Sequence, residues 1–273
     1  MKISCLPVSL FGEICGGKMD IPEWAREAKR LGFDGFDISV MFLKNRTPAY
    51  LVALKKELAE IGLPPVMMTD YPDFTHPNPL QRERELAYLT SDVALCSELG
   101  VKYLRILAGQ AHPGMGIEEG VDLVADYFHK IDPWGKKFGV ELVYEDHAKP
   151  GAWDYIDFSY PPDIFLQIFR RIQDTGIRVN FDTGNIVAWG MDPMEILPEI
   201  VDKISTIHVT DMAEKGRFSP VGIGDGVVPN REIFSFLKKH GFNGWLCIEE
   251  ASGRGLEGVR LAHDFVRSAW DAA

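Results

Sequence analysis

The sequence predicts a single-domain α/β protein, a (β/α)8 barrel that spans residues 1–273. Short apolar runs alternate with amphipathic stretches along the whole chain, and together they indicate eight strands and eight helices. This alternation is typical of a parallel sheet covered by helices, and eight such units close into a barrel. No linker or low-complexity segment divides the chain, and 273 residues is a usual length for one barrel of this class.

Each predicted strand is a short apolar run, rich in branched and aromatic residues, of the kind that a parallel sheet buries on both faces. In chain order the strands are residues 2–9, 35–40, 64–70, 101–109, 140–144, 177–185, 205–211 and 244–252. The predicted helices are residues 21–32, 48–62, 79–100, 120–139, 161–173, 193–204, 231–241 and 256–270. Several helices close on a glycine before the next strand, as at Gly62 and Gly139, which favours tight turns with a left-handed cap.

Composition and charge exclude several classes of protein. The net charge of −11 opposes a nucleic-acid surface, because such surfaces use Lys and Arg to neutralise phosphates. The four cysteines are far apart without a C-x-x-C pair, which indicates reduced thiols. No apolar stretch approaches the roughly 20 residues that a membrane span needs, so we expect a cytoplasmic protein without membrane contact. The alternative fold is an open doubly wound sheet, but no G-x-G-x-x-G follows the first strand.

The last four predicted strands all carry acids or a histidine near their carboxyl ends. These groups are Glu145, Asp146 and His147 on strand five, Asp182 and Asn185 on strand six, His208 and Asp211 on strand seven, and Glu249 and Glu250 on strand eight. In this class of barrel the carboxyl ends of the strands converge on one opening, where active sites lie. Carboxylates crowded at one opening repel one another unless a cation lies among them.

This clustering predicts a divalent metal site formed by Glu145, Asp182, His208 and Glu249. Three carboxylates and one imidazole favour Mn²⁺, Mg²⁺ or Co²⁺ and also accept Zn²⁺. Side chains two positions apart on a strand share a face, so Glu249 lies on the face of Cys247 and Glu250 points away. Each acid taken singly is equally consistent with a solvated rim residue, and His208 with a core histidine. Their coincidence on four successive strands favours the metal site.

The blocks YEDH, NFDTGN, IHVTD, GIGDG and GWLCIEE occur in this order along the chain. Their order and spacing resemble those of the xylose isomerase-like TIM barrels, a family of sugar phosphate isomerases and epimerases. The family includes ketose 3-epimerases, hydroxypyruvate isomerase, inosose dehydratase and, more distantly, endonuclease IV. The second-strand segment GFDGFDI, with its acid at Asp37, is similar as well, so the resemblance covers nearly the whole chain.

The resemblance implies one divalent metal, Mn²⁺ before the other candidates, bound by Glu145, Asp182, His208 and Glu249. It also implies that Glu145 and Glu249 are the catalytic pair. In the family the two glutamates flank a bound sugar: one removes a proton beside a carbonyl to give an enediolate, and the other can return it. The cation stabilises the developing negative charge. The implied function is an isomerase or epimerase of a sugar, keto-sugar or polyol derivative, and homo-oligomers are common in the family.

Two departures from the family pattern leave the substrate open. Asn185 stands where ketose 3-epimerases usually carry a histidine, and Ile223 lies between glycines where many members carry an acid or an amide. The candidate substrate-binding residues are Asp37, Arg105, His147, Asn185, Asp211 and Arg217. Two of them have an alternative, structural role. Arg105 can neutralise Glu145 across the barrel, and Asp211 can orient a metal ligand without binding the substrate itself.

Two other function classes compete with the isomerase. A lyase or dehydratase on a keto-sugar uses the same residues and needs an acid at the leaving group, for which His147 or Asp211 is a candidate. The third class is an endonuclease IV-like enzyme or a non-catalytic binding module. Endonuclease chemistry needs more histidines and a basic approach path, and seven histidines with a net charge of −11 oppose it.

Overall fold

A ring of eight parallel strands forms the centre of the protein in the computed structural model, which describes residues 1–273. The strands are β1 (Lys2–Leu6), β2 (Phe36–Ser39), β3 (Pro65–Thr69), β4 (Tyr103–Ile106), β5 (Glu141–Glu145), β6 (Arg178–Asp182), β7 (Ile204–Val209) and β8 (Trp245–Glu249). Each strand from β2 to β7 pairs in parallel with the next strand in the chain, and β8 pairs in parallel with β1. The predicted (β/α)8 barrel is therefore confirmed.

Helices connect successive strands and surround the sheet. They are α1 (Phe11–Cys15), α2 (Ile21–Arg30), α3 (Pro48–Ile61), α4 (Pro79–Leu99), α5 (Ile117–Phe138), α6 (Pro162–Arg171), α7 (Asn185–Trp189), α8 (Leu197–Ile200), α9 (Asn230–Lys239) and α10 (Gly255–Ala272). Short 3-10 segments occur at Val8–Leu10, Val40–Phe42, Pro193–Glu195 and Val201–Lys203. None of these helices combines the length and the apolar character needed to cross a membrane.

The ring is completed between β1 and β2 by a few specific bonds in place of a regular ladder. The N–H of Asp34 donates to the carbonyl of Ile3 at 3.0 Å, and the N–H of Ile3 donates to the Asp34 carboxylate at 2.9 Å. Inside the barrel, Ser4 Oγ donates to Asp37 Oδ2 at 2.7 Å. The barrel is thus nearly closed, and the carboxyl ends of all eight strands face one opening.

Local signals in the sequence define several helix ends. Asp20 caps α2 by accepting from the N–H of Glu23, while the Glu23 side chain accepts from the N–H of Asp20. This reciprocal arrangement satisfies donors that the first helical turn leaves free. Gly62 and Gly139 end α3 and α5 with φ of 68° each, a backbone conformation that costs glycine little.

The single helix predicted over residues 193–204 is wrong. The structure divides this segment into a 3-10 turn, the short helix α8 and a second 3-10 turn. Pro198 explains the interruption, because it has no N–H to donate to the carbonyl one turn earlier. Helix α1 was not predicted, and it follows β1 and a 3-10 segment in the chain.

Apolar side chains fill the lower part of the barrel interior. Met67, Tyr103, Val143 and Cys247 lie there, and together with Val66 they form one buried cluster. Because side chains alternate along a strand, the next inward positions after Val143 and Cys247 are Glu145 and Glu249. The polar groups of the opening therefore rest on an apolar floor, which lowers the local dielectric and strengthens the electrostatic interactions among them.

Candidate metal centre and active site

Three of the predicted ligands meet at the opening of the barrel. Glu145, Asp182 and His208 each offer a ligand atom within 4.8 Å of the others, and all three are buried. The strand register explains this, since Asp182 and His208 are directly paired across β6 and β7. Glu145 ends β5 beside Asn180, which lies two positions before Asp182 and on the same face.

Glu145 is held firmly by three neighbours. His208 Nδ1 lies 2.5 Å from Glu145 Oε1, and Asn180 Nδ2 donates to the same oxygen at 3.0 Å. Arg105 Nε lies 3.0 Å from Glu145 Oε2, which is an ion pair, although the N–H direction does not form a hydrogen bond. The Glu145 carboxylate is therefore fixed in place beside His208.

Asp182 presents one saturated oxygen and one free oxygen. Its Oδ1 accepts hydrogen bonds of 2.8 Å from the N–H groups of Gly184 and Asn185 and from Thr210 Oγ1. Its Oδ2 is buried without a hydrogen-bond partner, and so is His208 Nε2. Buried polar atoms are nearly always paired, so unpaired atoms within a cluster of metal-ligating side chains indicate a site for a cation.

Glu249 borders this group from the side of the solvent. Its Oε1 lies 3.6 Å from His208 Nδ1, and its side chain is 18% exposed, whereas those of Glu145 and His208 are fully buried. Glu249 does not belong to the group of ligand atoms within 4.8 Å of one another. It is therefore the predicted ligand with the most access to a bound small molecule.

The charges of these groups depend strongly on one another. Burial raises the pKa of Asp182 to about 8, and the negative charges of Glu145 and Glu249 add to this effect. Burial lowers the pKa of His208, but Glu145 and Glu249 outweigh it and bring the value to about 9. Burial likewise raises the pKa of Glu145, yet His208 and Arg105 outweigh it and bring the value to about 2. Shifts of this kind are expected where carboxylates and an imidazole crowd together, and a divalent cation among them would stabilise the charged carboxylates.

The residues present therefore fit a divalent metal. Carboxylate oxygens and an imidazole nitrogen suit Mn²⁺, Mg²⁺, Co²⁺ and Zn²⁺, and the group of ligand atoms contains no cysteine that would favour softer ions. The free atoms Asp182 Oδ2 and His208 Nε2 show that the protein's own hydrogen bonds leave the cluster incompletely satisfied.

Arg105 lies inside the barrel as a structural partner of the site. Its side chain is 1% exposed, its Nη1 donates to the carbonyl of Asp70 at 3.0 Å, and its guanidinium lies 4.9 Å from the ring centre of Tyr71. The structure thus supports the alternative in which Arg105 neutralises Glu145. Arg105 also lines the cavity above the site, so a substrate contact is compatible with this position.

Three of the other predicted substrate-binding residues lie at the opening. A small cavity of about 40 Å³ is lined by His147, Asn185 and Asp211 together with Asp182 and Glu249. His147 also lines a second, larger cavity of about 530 Å³ that shares Glu249. Burial lowers the pKa of His147 to about 3, and its Nδ1 has no hydrogen-bond partner.

Asp37 and Arg217 occupy other positions. Asp37 faces the barrel interior two residues before the end of β2, where its two oxygens accept from Ser4 Oγ and, at 3.1 Å, from the N–H of Met67. Arg217 lies on the surface with a side chain that is 74% exposed and pairs with Glu214 at 2.9 Å. The structure does not bring either side chain to the opening.

Asp211 organises the loop that follows β7. Its carboxylate accepts from the N–H groups of Met212, Gly224, Gly226 and Val228 at 2.9 to 3.1 Å. Gly224 has φ of 97°, which favours glycine there. The glycine-rich loop thus directs its N–H groups at the chain's own carboxylate, as in a structural turn.

We expect Asp211→Ala to loosen this loop, because four N–H groups lose a charged acceptor. The free energy of unfolding should fall by about 2–4 kcal/mol, and amide exchange at Gly224, Gly226 and Val228 should accelerate. Hydrogen-exchange mass spectrometry and urea denaturation measure both effects. Asp225→Ala is the matched control, because Asp225 is half-exposed and pairs only with Arg254. Unchanged exchange in Asp211→Ala would contradict this role.

Three contributing residues were not predicted from the sequence. Asn180 positions Glu145, Thr210 bonds Asp182, and Asp146 Oδ1 accepts from the N–H of Asp182 at 2.8 Å. Asn180 carried a signal, since a polar residue two positions before Asp182 shares its inward face. Thr210 carried the same signal, since it lies two positions after His208, whereas Asp146 was named among the acids of strand five without a role.

Fold and site together define a (β/α)8 barrel with a candidate metal centre at the carboxyl ends of its strands. A family model described as "Xylose isomerase-like TIM barrel" matches residues 25–269, and the chain belongs to this family. The resemblance noted in the sequence is confirmed at the level of the family.

Individual relatives have low sequence identity to this chain, but they align with nearly its whole length. Inosose dehydratase of Bacillus thuringiensis (strain Al Hakam) is 22% identical over 287 residues, which cover 92% of this chain and 90% of the relative. A crystal structure of the IOLI protein with a binding zinc atom has a TM-score of 0.80 at 16% identity, covering 100% of this chain and 99% of that one. L-ribulose 3-epimerase has a TM-score of 0.79 at 16% identity, covering 100% and 95%. At these identities the solved structures establish the fold.

Proposed function

We propose that this protein is a divalent-metal-dependent isomerase or epimerase that acts on a sugar, keto-sugar or polyol derivative through an enediolate. The observation that carries the proposal is the arrangement of Glu249 beside the buried group Glu145, Asp182 and His208, with Asp182 Oδ2 and His208 Nε2 unpaired. These four side chains would hold the metal, with Mn²⁺ favoured by the oxygen-rich donor set. When bound, the cation polarises a carbonyl oxygen and stabilises the negative charge that develops on it.

The two glutamates have different surroundings, and this assigns their roles. Glu145 is bound by Asn180, His208 and Arg105, so it has little freedom to exchange a proton with a substrate. Glu249 is partly exposed to the cavity, and burial raises the pKa of its carboxyl group. A raised pKa makes a carboxylate a stronger base, and general bases work best when their pKa is near the working pH. We assign Glu249 as the base and Glu145 as the carboxylate that fixes the site and completes the pair.

Deuterium incorporation tests the proposal directly. Mn²⁺-loaded protein would be incubated in D₂O with a panel of ketoses, keto acids and inososes, and proton NMR would follow the C–H signal beside the carbonyl. Metal-dependent loss of this signal in recovered substrate or in product is expected. A substrate that is turned over without solvent deuterium in either species would contradict the isomerase and indicate hydride transfer or elimination.

A lyase or dehydratase is the second candidate, and one observation favours it. The relative named inosose dehydratase aligns with nearly the whole chain. His147 lines the small cavity with Glu249, but burial lowers its pKa to about 3, so its imidazole is neutral near pH 7 and is a weak acid. In an elimination the abstracted proton is not returned to carbon, and a second group must protonate the departing hydroxyl. A dehydrated product by mass spectrometry, without deuterium in recovered substrate, would select this candidate.

A further inference from the structure

The larger cavity at the opening has a strongly apolar outer wall. It measures about 530 Å³, within the range of roughly 300–1,000 Å³ of pockets that hold ligands of drug size. Its outer wall includes Val8, Phe11, Met41, Ala152, Phe218 and Pro220. None of these side chains has a hydrogen-bond donor, and the only acceptor among them is the weak thioether sulfur of Met41, so this wall has no strong side-chain partner for a sugar hydroxyl.

The polar side chains on the wall are largely engaged within the protein. The Tyr71 hydroxyl lies 3.1 Å from Ser39 Oγ and 3.0 Å from Thr69 Oγ1. Lys149 Nζ donates to the carbonyl of Asp154 at 3.2 Å. The Tyr71 hydroxyl therefore offers little to a ligand, whereas Lys149 has one of its three N–H groups engaged and can still bind a polar group.

Apart from Lys149, the available polar groups lie together at one end of the cavity. His147 and Glu249 line both this cavity and the smaller one that includes Asp182. The cavity is therefore continuous with the candidate active site and divided in polarity, with its polar end at Glu249 and its apolar part farther out. A ligand that fills it needs a polar portion and an apolar portion in the same order.

Two large apolar side chains on the wall are exposed. Met41 is 45% and Phe218 is 51% exposed. Met41 belongs to the 3-10 segment that follows β2, and Phe218 belongs to the loop that follows β7, on the opening side of the barrel. Apolar side chains that surround a cleft are typical of binding surfaces, because covering them removes apolar area from water. A free sugar would cover them with hydroxyl groups that lose their bonds to water and find no side-chain partner.

We propose that the substrate of this site carries an apolar group, of about the size of an aromatic ring, next to its hydroxyl and carbonyl portion. The substrate class is thus a keto-sugar or keto-polyol derivative with an aromatic or alkyl substituent. The orientation rests on the proposed function, which places the reacting carbon at Glu249. Continuity of the apolar wall with the catalytic end identifies the occupant as part of the substrate and not as a second copy of the chain.

A pair of small probes tests this proposal. 2-Hydroxyacetophenone and hydroxyacetone share one hydroxymethyl ketone and differ only in a phenyl or a methyl group. Titration calorimetry with Mn²⁺-loaded protein should give a dissociation constant about tenfold or more lower for the phenyl ketone, as burial of an aromatic ring predicts. Equal dissociation constants would overturn the proposal.

Variants locate the preference on the wall. Met41→Ser combined with Phe218→Ser should bring the ratio of the two dissociation constants close to one. Leu80→Ser combined with Tyr88→Ser is the matched control on α4, where both residues are exposed, and it should leave the ratio unchanged. A ratio that survives the first double variant, or that the control abolishes equally, would overturn the assignment of the wall.

Two further readouts separate the alternatives. Exchange of the hydroxymethyl protons for deuterium reports on the proposed function, so loss of exchange with a preserved binding ratio would reject that function and keep the apolar subsite. Light scattering reports on association. The substrate proposal fails if three results occur together: the native protein is a dimer, the Met41 and Phe218 double variant is a monomer, and the native binding ratio is near one. In that case a second copy of the chain covers the wall.

Discussion

Replacing Glu249 by Gln is expected to slow proton exchange beside the substrate carbonyl by roughly a hundredfold to ten-thousandfold, the usual contribution of a general base. Gln has the shape of Glu and retains one oxygen that can coordinate a cation, but its amide cannot accept the proton. Deuterium incorporation measured by NMR, with metal-loaded protein and saturating substrate, gives the rate. The loss should appear in kcat, with a smaller change in KM, because binding contacts are largely preserved.

The neighbouring acid supplies a matched control. Glu250 points away from the opening, and its Oε1 accepts from the N–H of Ser252 at 2.8 Å. Glu250→Gln retains this acceptor oxygen and should exchange substrate protons at the native rate. If Glu249→Gln and Glu250→Gln lose activity equally, the effect is a general one on the fold. If Glu249→Gln retains the native rate, Glu249 is not the base.

Strand alternation made much of the site predictable. Glu145, Asp182, His208 and Glu249 all end or nearly end a strand, and the carboxyl ends of parallel strands meet at one opening. The same alternation favoured Glu249 over Glu250, and the structure places these two side chains accordingly. Regular strands thus allow a sequence pattern to determine which side chains share a face.

The positions of loop residues could not be predicted in the same way. Arg217 and Asp211 both follow β7, yet one lies on the surface and the other is bonded to four N–H groups. These positions depend on tertiary hydrogen bonds across the loop, and no periodic pattern in the sequence predicts such bonds. Asp37 shows a second limit of prediction from sequence. Alternation predicted that its side chain faces the barrel interior, but how deep it lies depends on the stagger between strands, which the sequence does not give.

Some of the helices were also predictable from the sequence, and others were not. Glycine caps and the alternating pattern predicted α3, α4 and α5, which the structure contains. The segment after α7 failed because the spacing of its apolar residues is helical, while Pro198 removes a backbone donor and interrupts the helix. Local backbone chemistry prevailed over periodicity there.

Replacing Asp182 by Asn is expected to weaken divalent metal binding by about tenfold or more, since mutation of groups that merely support metal ligands already costs about 10–100-fold. The change is selective within the carboxylate. Asn retains the oxygen that accepts from Gly184, Asn185 and Thr210, and it replaces only the buried, unpaired Oδ2 with an NH₂ group. The fold should therefore persist. Equilibrium dialysis with Mn²⁺ measures the affinity, and Asp225→Asn is the surface control.

Thermal denaturation gives an independent measure of the same loss. A metal at a hundredfold excess over its dissociation constant stabilises the folded state by about 2.7 kcal/mol, and a tenfold weaker site at the same concentration leaves about 1.4 kcal/mol. The metal-dependent rise in melting temperature should therefore fall by about half in Asp182→Asn and remain in Asp225→Asn. A native protein that binds no divalent metal and shows no metal-dependent rise would reject the centre itself. An unchanged rise in Asp182→Asn would place the ion elsewhere, because Oδ2 has no other bonding role in the folded chain.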